Sequence, residues 1–174
     1  VMKYAIMYCS KTGNTRQLAE AIYEAFPEKE TRIEAVSEKQ ISVSEPVILV
    51  GFWVDKGTCP SEIQALLQTL HGKQVALFGT AGFGASSTYF AAIAARVQAF
   101  LPEDNRLLGS YLCQGKMPTT VRDRYAAQLA ETPGDAHLQG LLENFDHART
   151  HPDESDLQAA KEFAKRILKQ TTSM

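Results

Sequence analysis

The sequence predicts an α/β fold of three layers: a doubly wound, five-stranded parallel sheet in the order 2-1-3-4-5. Three observations predict it. Short apolar runs alternate with longer amphipathic ones, a pattern that right-handed crossovers resolve into a parallel sheet with helices on both faces. The run Pro46-Val-Ile-Leu-Val-Gly51 is continuously apolar, as a strand covered on both faces must be. A hydroxyl-rich turn, Ser10-Lys-Thr-Gly-Asn-Thr15, separates the first apolar run from the first helical pattern. That is the end of the sheet at which such folds bind ligands, at the switch point between strands one and three.

The elements follow in order. Lys3–Cys9 is the first strand, and Asn14–Phe26 the first helix, with Leu18, Ala21, Ile22, Ala25 and Phe26 on one side. Arg32–Val36 is the second strand. The crossover after it, Ser37–Glu45, is polar and lacks a sustained apolar period. Strand three is Pro46–Trp53, helix two Ser61–Leu70, strand four Gln74–Gly79 and helix three Ser87–Leu101. In helix three, Phe90, Ile93, Ala94, Val97, Phe100 and Leu101 repeat every three or four residues and form one buried stripe. Arg106–Cys113 is the fifth strand.

A long connection then precedes the last helix, where most connections are far shorter. It carries two helical patterns: Val121, Tyr125 and Leu129 after Thr119 and Thr120, then Leu138, Leu141, Leu142 and Phe145 after Asp135. Thr132-Pro133-Gly134 breaks them apart. The final helix is capped by Asp153 or Ser155 and buries Leu157, Ala160, Phe163, Ala164, Ile167 and Leu168. Residues 1–174 are read as one domain, with a helical addition at about 117–152.

Composition narrows the function. The chain has 174 residues, 44% of them hydrophobic, enough for one real core. A net charge of −2 argues against nucleic acid, which needs a concentrated basic surface. The apolar run after Lys3 is too short for a membrane span or a signal peptide. Three cysteines, Cys9, Cys59 and Cys113, have no metal-like spacing and suit a reducing, cytoplasmic setting. His147 and His151, with Glu143 nearby, stand four apart, but Pro152 ends the helix and no fourth ligand follows. No metal is expected.

Residues 10 to 15 carry the chemistry. A strand, a turn and a helix in direct succession aim the N–H groups of a helix N-terminus at one point, where an anion is favoured. Ser10, Thr12 and Thr15 add hydroxyl donors, and Gly13 permits a turn that a Cβ would obstruct. The loop lacks the Gly-Lys-Ser/Thr of a Walker A turn and the spacing of Gly-x-Gly-x-x-Gly. It is a cradle of neutral dipoles suited to a phosphate monoester.

Ser10-x-Thr12-Gly13-x-Thr15 after the first strand resembles the FMN-phosphate loop of flavodoxins. The resemblance spans residues 2–116 and the last helix. It implies FMN as cofactor, with its phosphate on Ser10, Lys11, Thr12, Gly13, Asn14 and Thr15. A second loop, Gly51-Phe52-Trp53-Val54-Asp55-Lys56-Gly57-Thr58, leaves strand three at the same place. Trp53, the one tryptophan in the chain, would stack on the flavin, with Phe52, Val54 and Gly57 beside it. In flavodoxins a peptide of this loop reorients to bond the flavin N5, which places that peptide within Asp55-Lys56-Gly57. A third loop, Thr80-Ala81-Gly82-Phe83-Gly84, would meet the pyrimidine edge, with Phe83 or Tyr89 on the outer ring face.

An apolar ring site disfavours an anionic reduced flavin. The resemblance therefore implies a low-potential electron carrier, monomeric, serving a redox partner protein. The alternative is an FMN-dependent NAD(P)H or quinone reductase of related fold. Asn144-Phe145-Asp146 and His151-Pro152-x-x-x-Asp156-Leu157 resemble a flavodoxin-like subfamily of gut anaerobes, some of whose members accompany a bilirubin reductase. Typical flavodoxins are strongly acidic and this chain is nearly neutral, so long-range steering of a partner should be weaker.

Overall fold

Each residue of the third strand, Val47–Trp53 (β3), points to the opposite side from its neighbour, and both sides are core. Val47 and Leu49 join one hydrophobic cluster, Ile48, Val50 and Phe52 the other. The computed structural model describes residues 1–37, 42–84 and 86–172. Five parallel strands, Tyr4–Tyr8 (β1), Thr31–Ala35 (β2), β3, Gln74–Ala81 (β4) and Arg106–Gln114 (β5), lie in the order β2-β1-β3-β4-β5. This is the expected order, with strand bounds within two residues of those read from the sequence.

The helices divide between the two faces. Asn14–Glu24 (α1) and Glu154–Thr172 (α6) cover one face, burying Leu18, Ile22, Phe163 and Ile167 against Tyr4, Ile6, Leu49 and Phe78. Ser61–Gln68 (α2) and Ser87–Gln98 (α3) cover the other, with Ile63, Leu67, Ile93 and Val97 against Ala5, Met7, Ile48 and Leu77. Each such aliphatic side chain contributes about 1.5–3 kcal/mol when taken from water. No helix lies among the described residues between β2 and β3, in agreement with the polar Ser37–Glu45. Residues 38–41 of that crossover lie outside the described residues.

Two aromatic rings lock the strands nearest the ligand end. Gly51 pairs with Phe78, and Phe52 with Gly79, across β3 and β4. A Cβ on Gly51 would stand 2.3 Å from the Phe78 ring, and one on Gly79 2.7 Å from the Phe52 ring. Each ring thus fills the space its partner glycine leaves. Phe52 is fully buried in this way, so its side chain packs the core below the ligand loops.

The connection after β5 forms Thr119–Glu131 (α4) and Ala136–Ala148 (α5). These helices pack on one another and bury Tyr125, Leu138 and Phe145. Asp135 caps α5 by accepting the N–H groups of His137 and Leu138 at 3.0 and 3.1 Å. Asp153 caps α6: its carboxylate accepts the Asp156 N–H at 2.9 Å, while Asp156 accepts the Asp153 N–H at 2.8 Å. This reciprocal pair is a capping box.

Candidate functional site

Loops after β1, β3 and β4 meet beyond the C-terminal ends of the strands. In the first, Gly13 precedes α1 with φ of 93°, a conformation that L side chains rarely adopt. The first turn of α1 holds no acidic residue, so the positive end of its dipole is not offset. Ser10 Oγ accepts the N–H groups of Gly13 and Arg16, each at 3.2 Å. Lys11 and Thr12 are exposed. Asn14 is buried and donates through Nδ2 to the Lys116 carbonyl at 2.8 Å, while its Oδ1 is buried without a partner. Thr15 is turned inward: its Oγ1 lies 3.0 Å from Thr80 Oγ1, and both residues are buried. Thr15 therefore ties the first loop to β4.

The second loop begins at Trp53, which is half-buried at the end of β3. Its side chain lies beside the Cys9 thiol, and Lys11 Nζ stands 5.0 Å from its ring centroid. Val54 is held to β4 by its N–H on the Thr80 carbonyl at 2.9 Å. Asp55 and Thr58 then exchange two backbone bonds of 2.7 and 3.1 Å around Lys56 and Gly57. Lys56 has φ of 51° and Gly57 of 83°, the two positive values of a type I′ turn. Arg96 donates to the Gly57 carbonyl at 3.2 Å, so the peptide after Gly57 is held from both sides. The Lys56–Gly57 peptide is the turn's tip.

The third loop leaves β4 through the buried Thr80 and Ala81. Gly82 offers its carbonyl to two side-chain amides, Asn144 Nδ2 at 2.9 Å and Gln114 Nε2 at 3.2 Å. Phe83 is 39% exposed. Gly84 lies under the ring of Tyr89, where a Cβ would stand 2.6 Å from it. Both aromatic candidates for the outer ring face therefore border this loop.

The family model of the Flavodoxin domain matches residues 5–165. The chain belongs to the flavodoxin family. A flavodoxin-like domain-containing protein BilS from Clostridioides difficile is 35% identical over 171 residues, covering 96% of this chain and 97% of that protein. A BilS protein from Clostridium symbiosum is 38% identical over 180 residues, covering 93% and 94%. Among solved structures, a flavodoxin from Streptococcus pneumonia TIGR4 superposes with a TM-score of 0.57 at 13% identity, covering 96% of this chain and 98% of that one. Flavodoxin 2 from Bacillus cereus does so at 0.53 and 17%, covering 97% and 99%.

The other reactive groups of this flavodoxin-family chain are quiet. Burial pushes the Cys9 thiol up against the opposing effect of Trp53, and pushes Cys59 up to about 11. It also raises Cys113 and Tyr111 well above their ordinary values. Three thiols that stay protonated near neutrality are poor nucleophiles. His147 and His151 stack with centroids 5.3 Å apart, yet their Nδ1 atoms serve different neighbours: Gln114 Oε1 at 2.8 Å and Asp156 at 2.6 Å. His151, Asp153 and Asp156 do converge, but both carboxylates are occupied in capping α6.

Asn144 is the residue that sequence reasoning missed at this site. It stands 62 positions from Gly82, on a helix outside the alternating pattern that defines a flavodoxin sheet. The phrase Asn144-Phe145-Asp146 stood out as a family likeness, without a role.

Proposed function

We propose that this flavodoxin-family chain binds FMN and carries electrons to or from a partner redox enzyme. The observation that carries the reading is the uncharged cradle at residues 10–15. It opens on a helix N-terminus whose first turn lacks acids, while the one cation within the loop, Lys11, sits over Trp53. Backbone N–H groups of Thr12, Asn14 and Thr15, with the Ser10 and Thr12 hydroxyls, would hold the phosphate. Asn14 Oδ1, a buried acceptor without a donor, fits a hydroxyl of the sugar-alcohol chain. Bound FMN supplies reversible one-electron chemistry; the chain's residues bind and orient it.

Trp53 would form one wall of the ring site. Phe83 of the third loop, or Tyr89 in the first turn of α3, would cover the other face. No described helix is long and apolar enough to cross a membrane. The outer surface of α4, mostly exposed, is the natural docking face. A tetrapyrrole reductase is the first partner to test, given the resemblance at residues 144–157.

The test is a titration of flavin-free protein with FMN and with riboflavin, followed by stepwise anaerobic reduction. FMN should bind much more tightly than riboflavin. Equal affinities would remove the phosphate from the reading.

A further inference from the structure

We propose that Asn144, on the inserted helix α5, is a positioning residue of the flavin site: with Gln114 it sets the direction of the Gly82–Phe83 peptide. The proposal rests on the FMN reading above.

Three features lead to it. The Ala81 carbonyl accepts the Gly115 N–H at 3.0 Å, on the β5 side. The next carbonyl, Gly82, points to that side as well, where Asn144 and Gln114 take it from two directions. Two successive carbonyls on one side mean that the chain has left the alternation of a strand. In a trans peptide the N–H points opposite to the C=O, so the Phe83 N–H is turned away from β5, toward the side where β3 ends at Trp53. A donor is thereby presented to whatever lies across the third loop from α5.

The amides themselves are fixed. Gln114, 4% exposed, also donates to Asn144 Oδ1 at 3.1 Å, and its own Oε1 takes a bond from His147. Since Oε1 is only an acceptor, His147 Nδ1 must carry the proton. The order His147, Gln114, Asn144, Gly82 is thus a chain of donors running one way, each satisfied by the next. Rotating the Gly82–Phe83 peptide would take the shared acceptor from both amides, one of them on the buried Gln114, so the peptide stays put before any ligand arrives. On this account the helical addition is part of the cofactor site as well as a surface for a partner.

The test compares Asn144→Asp, which keeps the shape and the acceptor for Gln114 but removes the donor on Gly82, with Asn144→Leu. Flavin-fluorescence titrations with FMN and riboflavin are read beside Thr12→Ala. Both Asn144 variants should weaken FMN and riboflavin by the same factor, about tenfold for one lost bond to the loop, and shift the visible bands of the bound flavin. Thr12→Ala should weaken FMN alone and leave the bands in place. If Asn144→Leu does not fold, Asn144→Asp decides. Wild-type affinity for both flavins with unshifted bands in Asn144→Asp, or a loss confined to FMN, would overturn the proposal. Failure of the unsubstituted chain to bind FMN would instead defeat the FMN reading before any variant is compared.

Discussion

The ammonium of Lys11 lies over the indole of Trp53, 5.0 Å from the ring centroid, and joins the loop after β1 to the end of β3. A cation at this distance from an indole face contributes about 0.5–1 kcal/mol at an exposed site. The contact draws the loop's one positive charge onto the wall of the proposed ring site and leaves the anion seat to neutral donors. Lys11→Met should therefore change FMN affinity by only about threefold. Trp53→Ala should weaken it much more and abolish the quenching of tryptophan emission expected when FMN binds. Unchanged emission at saturation would leave Trp53 as packing alone.

Thr12 and Thr15 separate binding from stability. Thr12 is exposed on the loop, so Thr12→Ala should weaken FMN by about 1–2 kcal/mol and leave the melting temperature of the flavin-free protein unchanged. Thr15 bonds Thr80 in the interior. Thr15→Val should lower that melting temperature, since the Thr80 hydroxyl loses its partner. Calorimetry beside the titration tells the two apart.

The turn at Asp55–Thr58 makes a sharper demand. Flipping its tip peptide converts a type I′ turn to type II′, which needs glycine at the first central position. Lys56 holds that position, at φ of 51°. Its Cβ should oppose reorientation toward the flavin, and Lys56→Gly should raise the fraction of half-reduced flavin reached during anaerobic titration. An unchanged fraction would mean that the N5 contact, if made, does not depend on this flip.

Glu45 gives a prediction for pH. Its buried carboxylate receives two bonds from Arg32, of 2.9 and 3.0 Å. Burial opposes the charge and is the largest single influence, but the Arg32 bonds and charge, together with backbone N–H bonds from Glu45 and Ser44, hold the carboxyl below its usual range. A depressed folded value stabilises the protein above the unfolded carboxylate value, about 4.3, and that contribution fades as pH falls through the folded value. Glu45→Gln should cost roughly 1–2 kcal/mol at pH 7. The difference from the parent should vanish in acid; a constant difference across pH would place the effect in packing.

Much of the fold was legible because its signals are local. The apolar run of β3 and the stripes of α3 and α6 declare burial on both faces, and the loop at 10–15 follows β1 where the sheet's C-terminal end was expected. The direction of the Phe52 side chain was not legible, because an aromatic beside a ligand loop reads the same whether it faces in or out. Only the register of β3 on β4, which sets Phe52 against Gly79, assigns it to the core. Thr15 likewise looked like a loop donor until the fold brought Thr80 to it. Asn144 was out of reach for a stronger reason: its role exists only once α5 has folded back on the third loop, and no period or motif encodes that return.

The most direct measurement is the anaerobic reduction of the FMN-loaded protein by NAD(P)H, alone and with an added reductase, followed by its visible absorbance. A carrier whose ring is enclosed between Trp53 and the third loop offers a nicotinamide no face on which to stack. NAD(P)H alone should reduce the flavin slowly, if at all, and reduction should be rapid once the reductase is present. Fast multiple turnover with NAD(P)H and a quinone, without a second protein, would contradict it and make the chain a reductase.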